Sequence, residues 1–301
     1  MHAQGHESIL GMPLTGSQLN SKGVAMKPIN NTEFVSSERR REIELRLAAI
    51  EQQESVRMLY AIESGSRAWG FPSSDSDYDV RFIYAHPADW YLSIQERRDV
   101  IERPLENLID ESGWDIRKAL LLLRKSNPPL LEWLQSPIVY RSDARFVDGV
   151  KTLMTAYYSP RQCMCHYLHM AKGNIREYLK GERVWTKKYF YVLRPLLACR
   201  WIEAGLGIVP IEFAKLVDGV QIAPEIYDTI QRLLQDKLAG REMDDGPRIS
   251  IFHEFFDAEL ARLENVVGNV PLGASHDYDQ FDDLFRALIG WGEVKRLKAK
   301  G

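Results

Sequence analysis

The chain of 301 residues is poor in cysteine, with only Cys163, Cys165 and Cys199. An odd and sparse set excludes a disulfide framework and fits a reducing compartment. Positive charge is not in excess either: 39 Lys and Arg stand against 42 Asp and Glu, for a formal net charge of −3. A global basic field for nucleic acid is therefore excluded, and any such binding needs a local patch. Long apolar runs are missing. The run Ala119–Leu123 is far too short to span a bilayer, so no membrane association is expected. The N-terminus has no charged segment leading into an apolar one, so no signal peptide is expected and a cytoplasmic location follows. Internal repeats are also lacking, as are the phosphate-binding signatures GK[ST] and G-x-G-x-x-G.

What is present has a globular composition, 45% hydrophobic and 27% charged, and is long enough for two domains. Residues 1–36 are rich in Gly, Ser, Asn and Pro without period, which predicts a disordered tail. Met26 within it is a rival start. From Ser37 the pattern is helical, with Ile43, Leu47 and Ile50 at i, i+4, i+7. Met58 to Ile62 reads as a buried strand. Further short strands are predicted at 80–84, 99–101, 113–116 and 138–140. Helices are predicted at 117–125 and after Asn127-Pro128-Pro129, where Asn caps and Pro suits a first turn. Beyond residue 150 the strand signals vanish, and helical patterns run over 157–180, 187–205, 210–218, 224–238, 250–267 and 278–298. The expected fold class is α+β: a small mixed sheet flanked by helices over 37–150, then an all-helical domain over 151–301.

One stretch carries the chemistry: GSRAWGFPSSDSDYDVRFIY, residues 65–84. It reads as a turn, a polar loop and a strand. Asp77 and Asp79 are two apart and so share one strand face. Two such carboxylates repel unless a cation sits on them, and their hard oxygens suit Mg²⁺ with phosphate oxygens completing the shell. Gly65 permits close backbone approach, and Ser66 adds a hydroxyl at a helix start, where free N–H groups favour phosphate. Such a dicarboxylate strand beside such a turn is what metal-dependent phosphoryl or nucleotidyl transfer needs, two ions clamping the attacking and leaving oxygens.

Gly65-Ser66 followed by Asp77-x-Asp79 resembles the signature of the DNA polymerase beta nucleotidyltransferase superfamily in its minimal form. Together with GWDIRKALLLLRKSNPPLLEWLQSPIVY and KKYFYVLRPLLACRWIE, it resembles a bacterial family of predicted nucleotidyltransferases linked to RNA repair, over roughly residues 40–295. The resemblance implies that Gly65 and Ser66 hold the triphosphate of a nucleotide and that Asp77 and Asp79 bind two Mg²⁺ ions, with Mn²⁺ able to substitute. It also implies a third carboxylate from a later strand. Asp115, on a short strand before a helix, is the expected one for metal and catalysis; its alternative is a helix N-cap before Arg117. Asp110 and Glu111 are rivals in a loop-like setting without apolar alternation. Arg67 is a candidate for phosphate or for a surface pair with Asp75. Arg81 shares the face of the aspartates, where its alternative role is an ion pair that positions them.

The helical half is expected to supply the substrate floor. Lys187, Tyr191 and Arg194 fall at i, i+4, i+7, with Lys188 beside them. From 172 to 194 seven basic residues (Lys172, Arg176, Lys180, Arg183, Lys187, Lys188, Arg194) face two acidic ones (Glu177, Glu182), a local excess of five that suits a triphosphate or an RNA backbone. The alternative is a solvated face with Phe190 and Leu193 packed inside. Lys118 and Lys125 are weaker candidates. Cys163, Cys165, His166 and His169 raise zinc, but C-x-C-H is not a finger spacing, and a semi-buried helix face is the plainer reading. Asp277, Asp279, Asp282 and Asp283 read as a helix start. The expected activity is transfer of a nucleoside monophosphate from a nucleoside triphosphate to a hydroxyl with release of pyrophosphate. An RNA end, a protein side chain and a small molecule are the candidate acceptors. The alternative is a nucleotide- or RNA-binding regulator without turnover.

Overall fold

The computed structural model describes residues 34–240, 245–273 and 278–290. Most of the expected tail, Met26, Asp277 and the end of the helix predicted to 298 lie outside the described residues. The ordered structure starts before residue 37. Val35 is buried in the core, and the Ser36 hydroxyl accepts from the Arg39 amide at 3.2 Å, capping α1 (Ser37–Glu54). Ile43, Leu47 and Ile50 form the buried stripe of α1, as their spacing predicts.

The N-terminal half continues with β1 (Arg57–Glu63), α2 (Gly65–Trp69), β2 (Tyr78–Ala85), α3 (Ala88–Tyr91), β3 (Val100–Glu102) and β4 (Ile109–Asp115). It closes with α4 (Ile116–Arg124), α5 (Pro128–Trp133), β5 (Val139–Ser142) and α6 (Ala144–Tyr157). The strands form one mixed sheet in the order β3-β4-β2-β1-β5. β2 runs antiparallel to β1 and parallel to β4. Val80, Phe82 and Tyr84 pack under α1 with Ile43, Leu47 and Ile50. Ile83, from the alternate face, joins the larger core with α4, α5 and α6. Strand alternation thus assigns each residue of β2 to one of two different environments.

β4 is longer than its sequence predicts. A strand on 113–116 is expected; the observed one begins at Ile109, and Ile116 already belongs to α4. The usual apolar alternation is absent for a physical reason. Beyond Ile109, the positions facing α1 are Glu111 and Gly113 rather than aliphatic residues. Glu111 is buried and accepts from Arg46 of α1 at 3.0 and 2.7 Å. Gly113 leaves room for Phe82, since a Cβ there would lie 2.0 Å from that ring. An ion pair and a ring take the place of the missing side chains.

The second half comprises α7 (Pro160–Tyr178), β6 (Arg183–Trp185), α8 (Tyr189–Glu203), α9 (Phe213–Gly219), α10 (Pro224–Leu238), β7 (Asp245–Pro247), α11 (Ser250–Val266) and α12 (Tyr278–Leu288). It is helical apart from the short antiparallel ribbon β6–β7, which the sequence did not foreshadow. α8 is its centre, buried along almost its whole length. Pro195 lies inside α8 and cannot donate to the carbonyl of Tyr191. Asn174 of α7 takes over that acceptor at 2.7 Å, so the helix continues through the proline. The boundary expected at 150 falls within α6, and one apolar core runs from the sheet into the helical half. Among the described residues no helix is long and apolar enough to cross a membrane.

Candidate active site

The site is built at the start of β2, where α2, the loop 70–77 and the neighbouring start of β4 meet. β1 delivers the chain to Gly65, whose φ is +56°, a left-handed conformation natural to glycine. Its missing side chain matters more than its torsion. A Cβ at residue 65 would lie 1.9 Å from Oδ2 of Asp79, so the carboxylate rests directly on the turn. Ser66 follows in the five-residue α2 and is half-buried. The Ser64 amide donates to the Asp79 carbonyl at 2.8 Å and joins turn to strand.

Asp79 is the second residue of β2, and Asp77 precedes the strand on the exposed loop. The parallel register sets Asp79 opposite Asp110 of β4. One guanidinium group joins them: Nη2 of Arg81 donates to Oδ1 of Asp79 at 3.1 Å and to Oδ2 of Asp110 at 2.7 Å. Arg81 therefore takes the ion-pair role left open by its position. Burial holds the Asp79 carboxyl above the ordinary carboxylate range; Arg81 opposes this, while the charges of Asp110 and Asp77 add to it.

Asp115 does not join this group. The same register pairs it with Tyr84, five residues beyond the Asp79–Asp110 level. At about 3.3 Å per residue that is roughly 16 Å along the strand. It is also on the opposite face from Asp110, because an odd number of residues separates them. Its carboxylate caps α4, accepting from the Arg117 amide at 2.8 Å, and accepts from the Tyr91 hydroxyl at 2.7 Å. The helix-cap reading holds, and the acid beside Asp79 is Asp110. The other rival, Glu111, is occupied by Arg46.

Arg67 is not a surface partner of Asp75, and its Nε and Nη1 are buried without a hydrogen-bond partner. It is buried on the inner side of α2, 3.8 Å from the Tyr78 ring centre, and donates to the Ser76 carbonyl at 3.0 Å. Its charge lies under the site, where it favours the ionised forms of Glu63 and Asp79. Arg194 is corrected likewise. It is buried and pairs with Glu132 at 3.1 Å while donating to the carbonyls of Ile211 and Pro210. A side chain so committed fastens α8 to α5 and the 210–211 loop.

Of the remaining helical residues, Tyr191 stands nearest the acids. The hydroxyl of Tyr191 is raised by burial and further by the charges of Asp79 and Asp77, which places it in their field. Lys187 sits in a single 3-10 turn, Thr186–Lys188, ahead of α8. Its charge, like that of Lys237, acts on Asp75 of the loop. Lys188 lies 4.1 Å and 4.5 Å from the ring centres of Tyr178 and Tyr191.

Sequence reasoning passed over two residues here. Glu63 ends β1 buried, donating no proton but accepting from the Asp79 amide at 3.0 Å and the Tyr140 hydroxyl at 2.6 Å. Burial pushes its carboxyl up to about 7. The signal was an acid closing an otherwise apolar strand immediately before the glycine turn. Lys237, at the end of α10, reaches Oγ of Ser73 at 3.5 Å, and no local pattern foretold it.

Among the described residues no three carboxylate, imidazole or thiol groups are drawn into a ready-made cation cage. Of the zinc candidates Cys163, Cys165, His166 and His169, Cys163 is packed in the core and His169 is hydrogen-bonded to the Cys165 carbonyl. Asp77, Asp79 and Asp110 are likewise not drawn into such a cage, and what they offer is the chemistry of their donors. Asp79 and Asp110 already share one cationic partner from adjacent strands, and Asp77 lies close enough to raise Asp79. Their donors are hard oxygens, the kind Mg²⁺ takes. In kind these donors suit a divalent cation, which would take the place Arg81 now holds between Asp79 and Asp110.

Comparison with known proteins gives three findings. A family model described as the RNA repair pathway DNA polymerase beta family matches residues 40–287. A protein of Bacillus subtilis (strain 168), named only as uncharacterized protein YcgL, is 49% identical over 243 residues, covering 81% of this chain and 92% of its own. A solved structure of a nucleotidyltransferase-like protein from Exiguobacterium sibiricum aligns with 75% of each chain at 10% identity and a TM-score of 0.29.

Proposed function

The chain belongs to the RNA repair pathway DNA polymerase beta family, and from that membership we propose that it is a Mg²⁺-dependent nucleotidyltransferase acting on a nucleoside triphosphate and a hydroxyl acceptor. Membership supports a general role in nucleotidyl transfer. The finer reading rests on one observation: Asp79 and Asp110 stand level on adjacent parallel strands, with the Asp79 carboxylate directly against the Gly65 turn.

Asp77, Asp79 and Asp110 would hold the cation, which when bound supplies charge neutralisation for the triphosphate and for the attacking oxygen. Each residue then has a task. Gly65 lets the backbone and the Asp79 carboxylate approach without a side chain between them. Ser66 presents its hydroxyl and amide to phosphate. Lys187, Lys188 and Lys237 form the basic wall against which the β- and γ-phosphates lie, and Tyr191 offers a ring beside them. Glu63 and Arg81 position the strand that carries Asp79. The acceptor oxygen attacks the α-phosphorus, the α–β phosphoanhydride bond breaks and pyrophosphate leaves in line. The family's RNA repair description favours an RNA end as acceptor; in the basic run 172–194, Lys172, Arg183 and Arg194 pair with Glu264, Asp245 and Glu132, so Arg176, Lys180, Lys187 and Lys188 would meet its backbone.

The test is incubation of the pure protein with Mg²⁺ or Mn²⁺ and each α-labelled nucleoside triphosphate, with RNA, protein extract or neither. Label transfer with pyrophosphate release is expected, abolished by Asp77→Asn or Asp79→Asn. Equal transfer by wild type and Asp77→Asn overturns the catalytic reading. Nucleotide binding without pyrophosphate release from any acceptor supports a regulator on the same fold.

A further inference from the structure

A cavity of about 470 Å³ opens at the other end of β2 from the acid site, between α3, α4 and α12. Its volume is within the range of small-molecule sites. It belongs to none of the machinery described above: the residue linking it to the sheet is Asp115, the acid that faces away from the Asp79 level. Its walls are aromatic. Tyr91 and Phe285 meet edge to face at 5.0 Å, and Tyr278 stands half-exposed at the rim.

Charge in the cavity is unevenly matched. Arg117 and Arg124 lie seven residues apart on α4, hence two turns and roughly 10 Å apart along the same face. The Arg117 guanidinium lies 5.0 Å from the Tyr91 ring centre, and that of Arg124 lies 3.9 Å from the Tyr278 ring centre. Among the described residues neither has a carboxylate within ion-pair distance, and the Nε of Arg124 is buried without a hydrogen-bond partner. The cavity's own carboxylate, Asp282, is already matched by Arg286 at 3.1 Å. Asp115, behind Tyr91, is taken by that hydroxyl and the Arg117 amide. Two ring-stacked guanidinium groups, that of Arg117 exposed and that of Arg124 partly buried, line an otherwise apolar space. Such groups favour a planar anion that offers paired oxygens and an aromatic body.

We propose that the cavity between α3, α4 and α12 is a second binding site, separate from the acid site, for a small phosphomonoester that carries a flat aromatic group. The aromatic group lies among Tyr91, Phe285 and Tyr278, and the phosphate meets the Arg124 guanidinium, with Arg117 two turns away adding to the positive field. The proposal stands independently of the nucleotidyl-transfer reading, because no residue is shared with it.

The probe is adenosine 5′-monophosphate bearing an N-methylanthraniloyl fluorophore, titrated against the whole chain in EDTA. Saturable binding is expected. The double variant Arg117→Met and Arg124→Met weakens it at least tenfold; Lys187→Ala with Lys188→Ala leaves it unchanged. The same fluorescent nucleoside without phosphate binds at least tenfold more weakly. Leu121→Glu, an exposed change at the cavity wall that keeps both arginines, weakens binding by placing like charge near the phosphate, and it decides the matter should the double variant not fold. Absence of binding to wild type overturns the proposal, as does loss in the lysine variant, indifference to Arg117, Arg124 and Leu121, or equal binding of the unphosphorylated probe.

Discussion

Asp110 and Asp115 stand on one strand, five residues apart, and their replacement separates site chemistry from scaffold. The Asp115 carboxylate has two protein partners. It caps α4 through the Arg117 amide and accepts from the Tyr91 hydroxyl. Asp115→Ala removes the cap, worth about 1 kcal/mol. It also leaves a largely buried hydroxyl without its acceptor, worth about 1–3 kcal/mol. The sum is roughly 2–4 kcal/mol, which for a chain of this size corresponds to a fall in Tm of roughly 3–6 °C. Label transfer at 20 °C should be retained, since the side chain is about 16 Å along the strand from the acid pair. Asp110→Asn should do the reverse. The Asp110 side chain is 41% exposed and its pairing with Arg81 is correspondingly screened, so stability should change by less than about 1 kcal/mol. Transfer should fall roughly 10²–10³-fold, the loss expected when one charge-stabilising group leaves a reacting centre. Differential scanning fluorimetry and the α-labelled nucleotide assay, run on both variants, decide it. Full activity in Asp110→Asn with abolished activity in folded Asp115→Ala would refute the assignment.

Three further outcomes follow from the same geometry. Gly65→Ala should cost roughly 1–2 kcal/mol for the left-handed backbone alone and displace the Asp79 carboxylate, measured as lost transfer together with a lower Tm; an unchanged enzyme would contradict the close approach. Arg46→Leu strands the buried Glu111 carboxylate and should destabilise by about 3–5 kcal/mol in urea unfolding, whereas a loss under 1 kcal/mol would mean that the pair is not what replaces the apolar face of β4. Glu63, raised to about 7 by burial, binds a proton more tightly folded than unfolded. Its contribution is therefore full below its unfolded value near 4.3 and is lost as pH rises through about 7. Wild type in EDTA should lose stability between pH 5 and pH 8 relative to Glu63→Gln, and parallel curves would show that Glu63 is not buried in this way.

Much of this protein was legible in the chain because local rules and tertiary demands agreed. The stripe Ile43, Leu47, Ile50 gave α1 its buried face, and Asn127-Pro128-Pro129 set the start of α5. In the stretch 65–84, a glycine turn, a polar loop and an alternating strand bring Gly65, Asp77 and Asp79 together through contacts near in sequence. These features needed no knowledge of distant partners, so composition, spacing and periodicity sufficed to set the α+β class, the helical second half and the heart of the candidate site.

The rest depended on partners far along the chain. β4 hid its strand character because Arg46 and Phe82 occupy places that aliphatic side chains would otherwise fill, and so Asp110 read as loop. Only the parallel register with β2 brings Asp110 beside Asp79 and carries Asp115 away from it. Arg67 and Arg194 carry the residue type that suits phosphate, yet long-range packing against Tyr78 and Glu132 buries them. Lys237 reaches the loop from 164 positions away. A sequence states which groups can hold a charge; which of them face a common point is decided by strand register and by the distant groups that satisfy or bury them.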